Sequence, residues 1–125
     1  MGRISSVEDL DVFKRSHALT VKLYKMTEDF PKEEKFGLIS QIRRASSSVA
    51  ANLMEGGHRL SRKEFRQYVG ISKGSVGELK YHLLLARDLE YLTGEKYIVF
   101  KNELEELSKM LGGLVKTLSD TDTNH

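Results

Sequence analysis

Between Tyr97 and Leu118 the apolar residues recur at three- and four-residue intervals: Tyr97, Phe100, Leu104, Leu107, Leu111, Leu114 and Leu118. That is the period of an α-helix with a single buried stripe, and Glu103, Glu105, Glu106 and Lys109 fall outside it. Such a stripe needs a partner, and the rest of the chain offers only helices. Helical segments are read at about Val7–Glu28, Lys32–Glu55 and Ser61–Leu92, with the fourth at Glu95–Leu118 and no good strand candidate. Punctuation separates them. Proline at Phe30-Pro31 suits a first helical turn, and Gly56-Gly57 suits a helix end. Ser61 with Glu64 forms a capping box, and Thr93-Gly94 is a break. Short links between long helices favour antiparallel neighbours. The expected fold is therefore all-α: an up-down-up-down four-helix bundle over residues 1–118, followed by a disordered tail over 119–125.

The chain has 125 residues, 39% hydrophobic and 30% charged, which suits one domain with its own core and excludes a disordered chain. No apolar run approaches the ~20 residues of a membrane span. Met1 to Leu10 is polar and acidic, unlike a signal peptide. Cysteine is absent, so there is no disulfide and no thiolate nucleophile or metal ligand, and a cytoplasmic location is expected.

Two segments carry more than one bundle requires. In the first helix, Val12, Leu19, Leu23 and Met26 form one stripe while Leu10, Phe13, Val21 and Tyr24 form another. Together they span roughly 220° of the circumference, about twice what a surface helix buries. A second subunit would cover the surplus, so a homo-oligomer is expected. The third helix contains Gly70, Gly74 and Gly77, each forfeiting about 0.8–1 kcal/mol of helix propensity. With Ser72 and Ser75 they make a smooth segment that another helix can approach closely, within the chain or between chains.

Charge is distributed unevenly. From Arg43 to Arg87 there are nine Lys/Arg and three acids, while the remainder is net acidic. On the third helix Arg62, Arg66, Lys73, Lys80 and Arg87 follow at spacings of 4, 7, 7 and 7 residues. Two turns are about 7.2 residues, so these five project within about 60° along roughly 38 Å. The acids of that helix, Glu64, Glu78, Asp88 and Glu90, point elsewhere. A single-signed row suits a line of phosphates better than a small-molecule pocket, and predicts salt-sensitive binding of structured RNA or DNA. Arg59 and Lys63 extend the row at its start, and Arg43 and Arg44 of the second helix are candidate additions. No aromatic stacking platform accompanies it. The other reading of the basic surface is a scaffold for an acidic protein partner. A second polar row, Gln41, Arg44, Ser48, Asn52 and Glu55, fits a structural network that sets register between helices.

Catalytic patterns are missing. Glu55-Gly56-Gly57-His58 is the single Glu-x-x-His, where a di-iron bundle needs two and further carboxylates. Glu78 and His82 alone do not make a metal site. No phosphate-binding Gly-rich loop, His-Glu-x-x-His or nucleophile elbow occurs. None of His17, His58, His82 and His125 has an arginine four to seven residues before it, as a helical ribonuclease would. The expectation is a non-enzyme with no cofactor and no metal.

Four motifs together carry a family resemblance: Phe30-Pro31-x-x-Glu34-x-Phe36-Gly37-Leu38, Gln41-Ile42-Arg43-Arg44-Ala45, Ser48-x-x-x-Asn52-x-x-Glu55-Gly56 and Gly74-Ser75-x-x-Glu78-Leu79. They resemble the bacterial four-helix bundle proteins encoded in intervening sequences of large-subunit ribosomal RNA genes, also labelled S23 ribosomal proteins. A related branch is the accessory variability protein of diversity-generating retroelements, a basic barrel that binds nucleic acid and its reverse transcriptase. The resemblance covers about Leu10 to Leu118. It implies a ring-like homo-oligomer, specifically a homopentamer, and raises a reverse transcriptase as a possible partner. Phe13 stands where the family commonly has tryptophan, and Leu53-Met54 where it has Ile-Ala; both swaps keep the apolar character.

Overall fold

A computed structural model describes residues 6–123, with side chains through Ser119. It is a four-helix bundle: α1 (Asp11–Thr27), α2 (Leu38–Gly57), α3 (Arg62–Asp88) and α4 (Gly94–Thr123). No strand occurs among the described residues. Each helix lies against its neighbours in sequence and α1 closes on α4, while α1 and α3, and α2 and α4, make no close backbone approach among the described residues and share one core diagonally. The α1–α2 and α3–α4 seams therefore lie on opposite sides of the bundle. Along α2 and α3 the paired residues run in opposite sequence directions, Arg44 meeting Glu78, Ser48 meeting Ser75, and Gly56 meeting Phe65 and Tyr68.

The core is aliphatic. Leu19, Leu23, Ile42, Val49, Leu53, Val69, Val76, Leu79, Leu83, Leu104, Leu107 and Leu111 are buried, and the α4 stripe points inward as its period requires. Tyr97, Phe100 and Leu114 of that stripe are half-buried at its edge.

The helix limits differ from the sequence reading for local reasons. Val7–Asp9 is a 3-10 turn, separated from α1 by the extended backbone of Leu10. Pro31 precedes another 3-10 turn, Lys32–Glu34, and α2 begins only after Gly37. There Glu34 does two jobs: its Oε1 accepts from the Leu38 amide at 3.0 Å, and its Oε2 accepts from the Tyr91 hydroxyl at 2.9 Å. The second bond ties the start of α2 to the end of α3, and it raises the Tyr91 phenol above its ordinary pKa.

Gly56-Gly57 closes α2 as expected. The helix runs through Gly57, and Gly56 lies where a Cβ would come 2.6 Å from the Tyr68 Cβ, so it is the contact that lets α3 cross closely. Ser61 caps α3 as expected, accepting from the Glu64 amide at 3.1 Å. Helix α3 ends at Asp88, earlier than Thr93-Gly94, because Glu90 adopts φ 65°. Tyr91 N–H then donates to Ala86 O and Glu90 N–H to Arg87 O, both at 2.9 Å, which is the Schellman closure with glutamate in the place glycine usually takes. Helix α4 continues to Thr123, past the expected end near Leu118, so residues 119–123 are helical where a tail was read. The remaining tail residues, 124 and 125, lie outside the described residues.

Candidate nucleic-acid interface

The five cations of α3 do fall on one side of the helix, but that side flanks the core and meets α4. Arg62 and Lys73 are exposed; Arg66, Lys80 and Arg87 are half-buried. Arg66 Nη1 donates to Ser119 Oγ at 3.4 Å. The Lys73 stem runs beside Gly112, where an added Cβ would lie 3.6 Å from its Cε. Lys80 Nζ is 3.6 Å from Glu105 Oε2. Arg87 lies over the Tyr97 ring at 4.6 Å and pairs with Asp88 at 3.0 Å.

The row is thus a ridge along the α3–α4 seam, and not an unmatched flank. Reading only the acids of α3 missed Glu105, which α4 brings across; Asp88, expected to point elsewhere, pairs with its neighbour Arg87. A row roughly 90° from the centre of the buried face is where an adjoining helix can reach it. Exposed pairs of this kind are worth little in stability, and their cations stay accessible to solvent anions.

The proposed extensions separate. Lys63 is exposed near the start of the ridge. Arg59 is engaged by Glu64 at 3.1 Å and Glu55 at 3.8 Å, and lies over Tyr68; the hydrogen bond it donates to Glu64 leads in raising its pKa. Arg43 and Arg44 do not join the ridge at all. Arg43 turns to α1, its Nε donating to Thr27 Oγ1 at 2.9 Å and Nη2 to Tyr24 O at 3.0 Å. Arg44 turns to Gln41 and Glu78 on the α2–α3 seam.

On that seam the second polar row is assembled with partners from α3. Asn52 Nδ2 donates to Ser48 O at 2.9 Å and Oγ at 3.0 Å, and the Ser48 and Ser75 hydroxyls are 2.9 Å apart. Ser72 Oγ donates to Val49 O at 2.8 Å, and Tyr68 donates to Glu55 at 3.2 Å. Arg44 and Glu55 stay apart in separate groups, Arg44 with Gln41 and Glu78, and Glu55 with Tyr68 and Arg59, on either side of the Ser48–Asn52–Ser75 cluster. His82 Nε2 lies 3.2 Å from Glu78 Oε2. The hydrogen bond from His82, and then that from Arg44, holds the Glu78 carboxyl below its usual range against the opposing effect of burial. The α3 partners Tyr68, Ser72 and Ser75 were not read as members of the network. Their signal was present in the small and polar residues of α3 at positions facing α2. Among the described residues no cluster of three or more His, Asp or Glu could hold a metal ion.

The glycines of α3 are not used inside the chain. A Cβ added to Gly70, Gly74 or Gly77 meets nothing within 4 Å, so the close approach they permit is not made by α1, α2 or α4 among the described residues. Ile71 and Tyr81 are exposed on the same helix. On α1 the second stripe is divided: Leu10 and Phe13 pack at the core edge, while Val21 and Tyr24 stay exposed.

Against known families, residues 8–113 match the model of the 23S rRNA-intervening sequence protein. The chain belongs to that family. All four motifs lie within the matched span, and Arg44, Ser48, Glu55 and Glu78 from them meet partners across the α2–α3 seam while Arg43 faces α1. Among solved structures, six chains match. One is the 1.70 Å crystal structure of a protein of unknown function from the S23 ribosomal protein family of Bacteroides thetaiotaomicron VPI-5482, at 29% identity and a TM-score of 0.75. The match covers 84% of this chain and 98% of that one. No curated protein matches the chain. No helix among the described residues is long and apolar enough to cross a membrane.

Proposed function

We propose that this family member is a non-enzymatic, up-down-up-down bundle that assembles with copies of itself into a ring-like homo-oligomer and binds structured RNA or DNA through phosphate contacts to the α3 ridge. The observation that carries the binding reading is the run of Arg62, Arg66, Lys73 and Lys80 along the α3–α4 side of one helix, with Lys63 exposed at its start and Lys80 meeting Glu105 of α4. Counterion release from such a ridge gives affinity with little sequence preference. The outer side of α3 supports the assembly reading. Three glycines forfeit about 2.4–3 kcal/mol of helix propensity on a face open to solvent, beside exposed Ile71 and Tyr81. A second copy laid there would use the close approach. Repeating the ridge around a ring multiplies the cations and raises avidity.

The test is fluorescence anisotropy with a labelled RNA hairpin and a DNA duplex at low salt, on the wild type and on a Lys73→Glu, Lys80→Glu double variant. Binding that the variant weakens at least tenfold supports the reading. Absence of binding to both ligands overturns it. Light scattering tests assembly in parallel: a mass of 14.2 kDa for the wild type would refute it.

A further inference from the structure

The side of the bundle opposite the α3 ridge holds an open cleft of about 450 Å³ between α1, the turn before α2, and α2 itself, lined by Tyr24, Lys35, Phe36, Ile39, Ser40, Arg43 and Arg44. Three of its lining residues are cations, two are aromatic, and none is acidic. The aromatic rings are not core residues that happen to reach the surface. Phe36 is 88% exposed, one of the highest values of any large apolar side chain described, and Lys35 Nζ lies 5.4 Å from its centroid. Tyr24 is exposed along one edge and carries the Arg43 guanidinium on its face at 4.8 Å. Arg43 is itself fixed, since Thr27 Oγ1 and Tyr24 O at the C-terminal end of α1 both accept from it. Its planar group is therefore held in place before any ligand arrives, which limits the ordering cost of binding. Arg44 is shared with Glu78 and Gln41 at the far rim.

From this juxtaposition we propose that the cleft takes an unpaired nucleotide of a single-stranded RNA or DNA segment, its base stacked on Phe36 or on the Arg43–Tyr24 plane and its phosphates met by Lys35 and Arg44. Flat faces and cations in one acid-free cleft match a ligand that is itself part aromatic plane and part anion. An acidic peptide would use the cations and leave the exposed Phe36 ring without a partner. Stacking of this kind is tolerant of base identity and adds to a backbone-following electrostatic term. The inference rests on the reading of the protein as a nucleic-acid binder, and it names a second form of ligand at a second site. A structured RNA with a single-stranded extension would engage both sides of the assembly.

The two sites are tested apart by anisotropy on the full chain, with a labelled ten-nucleotide adenylate strand and a blunt duplex as probes and free adenosine monophosphate as competitor. Phe36→Ala and Lys35→Glu are the variants; both residues are exposed, so folding is checked by circular dichroism and mass by light scattering. The proposal expects Phe36→Ala to lower the single-strand affinity roughly five- to a hundredfold, and the ratio of single-strand to duplex affinity to fall with it. It expects the strand to bind far more tightly than free adenosine monophosphate. Single-strand affinity unchanged in both variants overturns the cleft while leaving the α3 reading standing. Loss of assembly in Phe36→Ala with strand affinity intact identifies the cleft as an interface between copies and also overturns it. Failure of the wild type to bind either probe overturns both readings.

Discussion

Replacing Gly70, Gly74 and Gly77 together by alanine separates what α3 needs as a helix from what it needs as a surface. Each position lies in the interior of a 27-residue helix with open space around an added Cβ. No clash offsets the gain in helix propensity, about 0.8–1 kcal/mol per site, so the triple variant should gain about 2.4–3 kcal/mol in the isolated chain. Part of that gain comes from a less flexible unfolded chain. The assay is urea unfolding at a concentration low enough to dissociate the assembly, paired with light scattering at high concentration. The expected result is a higher unfolding midpoint with unchanged m-value, together with weaker self-association, because three methyl groups now stand where a second copy approaches. A variant that is no more stable as a monomer would refute the open-face geometry. A variant that assembles as tightly as the wild type would refute the role given to the glycines.

Other consequences follow from single contacts. Gly56→Ala has the opposite sign, because its Cβ would press on Tyr68; thermal or urea unfolding should show a loss of about 1–3 kcal/mol. Glu90→Gly removes a left-handed residue from the α3 closure and should stabilise by about 1 kcal/mol, read as a rise of a few degrees in Tm. The Glu78 carboxyl is held below its ordinary pKa, so the stability it contributes is present above the unfolded value near 4.3 and is lost as pH falls through the lower folded value. Glu78→Gln should therefore lower stability at neutral pH and flatten the acid limb of a stability–pH curve; an unchanged limb contradicts the Arg44–Glu78–His82 cluster. Leu79→Ala opens a fully buried site and should cost about 2–5 kcal/mol by urea unfolding.

Much of the fold was legible because it depends on period and punctuation. The α4 stripe, the Ser61–Glu64 cap and the four helices follow from local residue order alone. The ends of helices were harder. Glu90 carries no glycine or asparagine to announce a left-handed stop, and the bonds that close α3 are backbone bonds with no side-chain signature. Gly56-Gly57 does mark the end of α2, but Gly56 is also a crossing contact, a role that depends on Tyr68 and Phe65 from another helix. The ridge was visible as a spacing, but its surroundings were not, since Glu105 reaches Lys80 only through the α3–α4 packing. Arg43 and Arg44 are adjacent in sequence yet face different seams, because successive helical residues project about 100° apart. The aromatic character of the opposite cleft was hidden for the same reason: Tyr24 and Phe36 come from different segments.

The central claim is tested most directly by the salt dependence of duplex binding. Plotting log K against log salt concentration for the wild type should give a straight line whose slope is about −0.9 per phosphate contacted, and charge reversal at Lys73 and Lys80 should make that slope shallower by roughly two contacts. A slope that is flat, or one that the charge reversal leaves unchanged, would contradict phosphate contact by the α3 ridge.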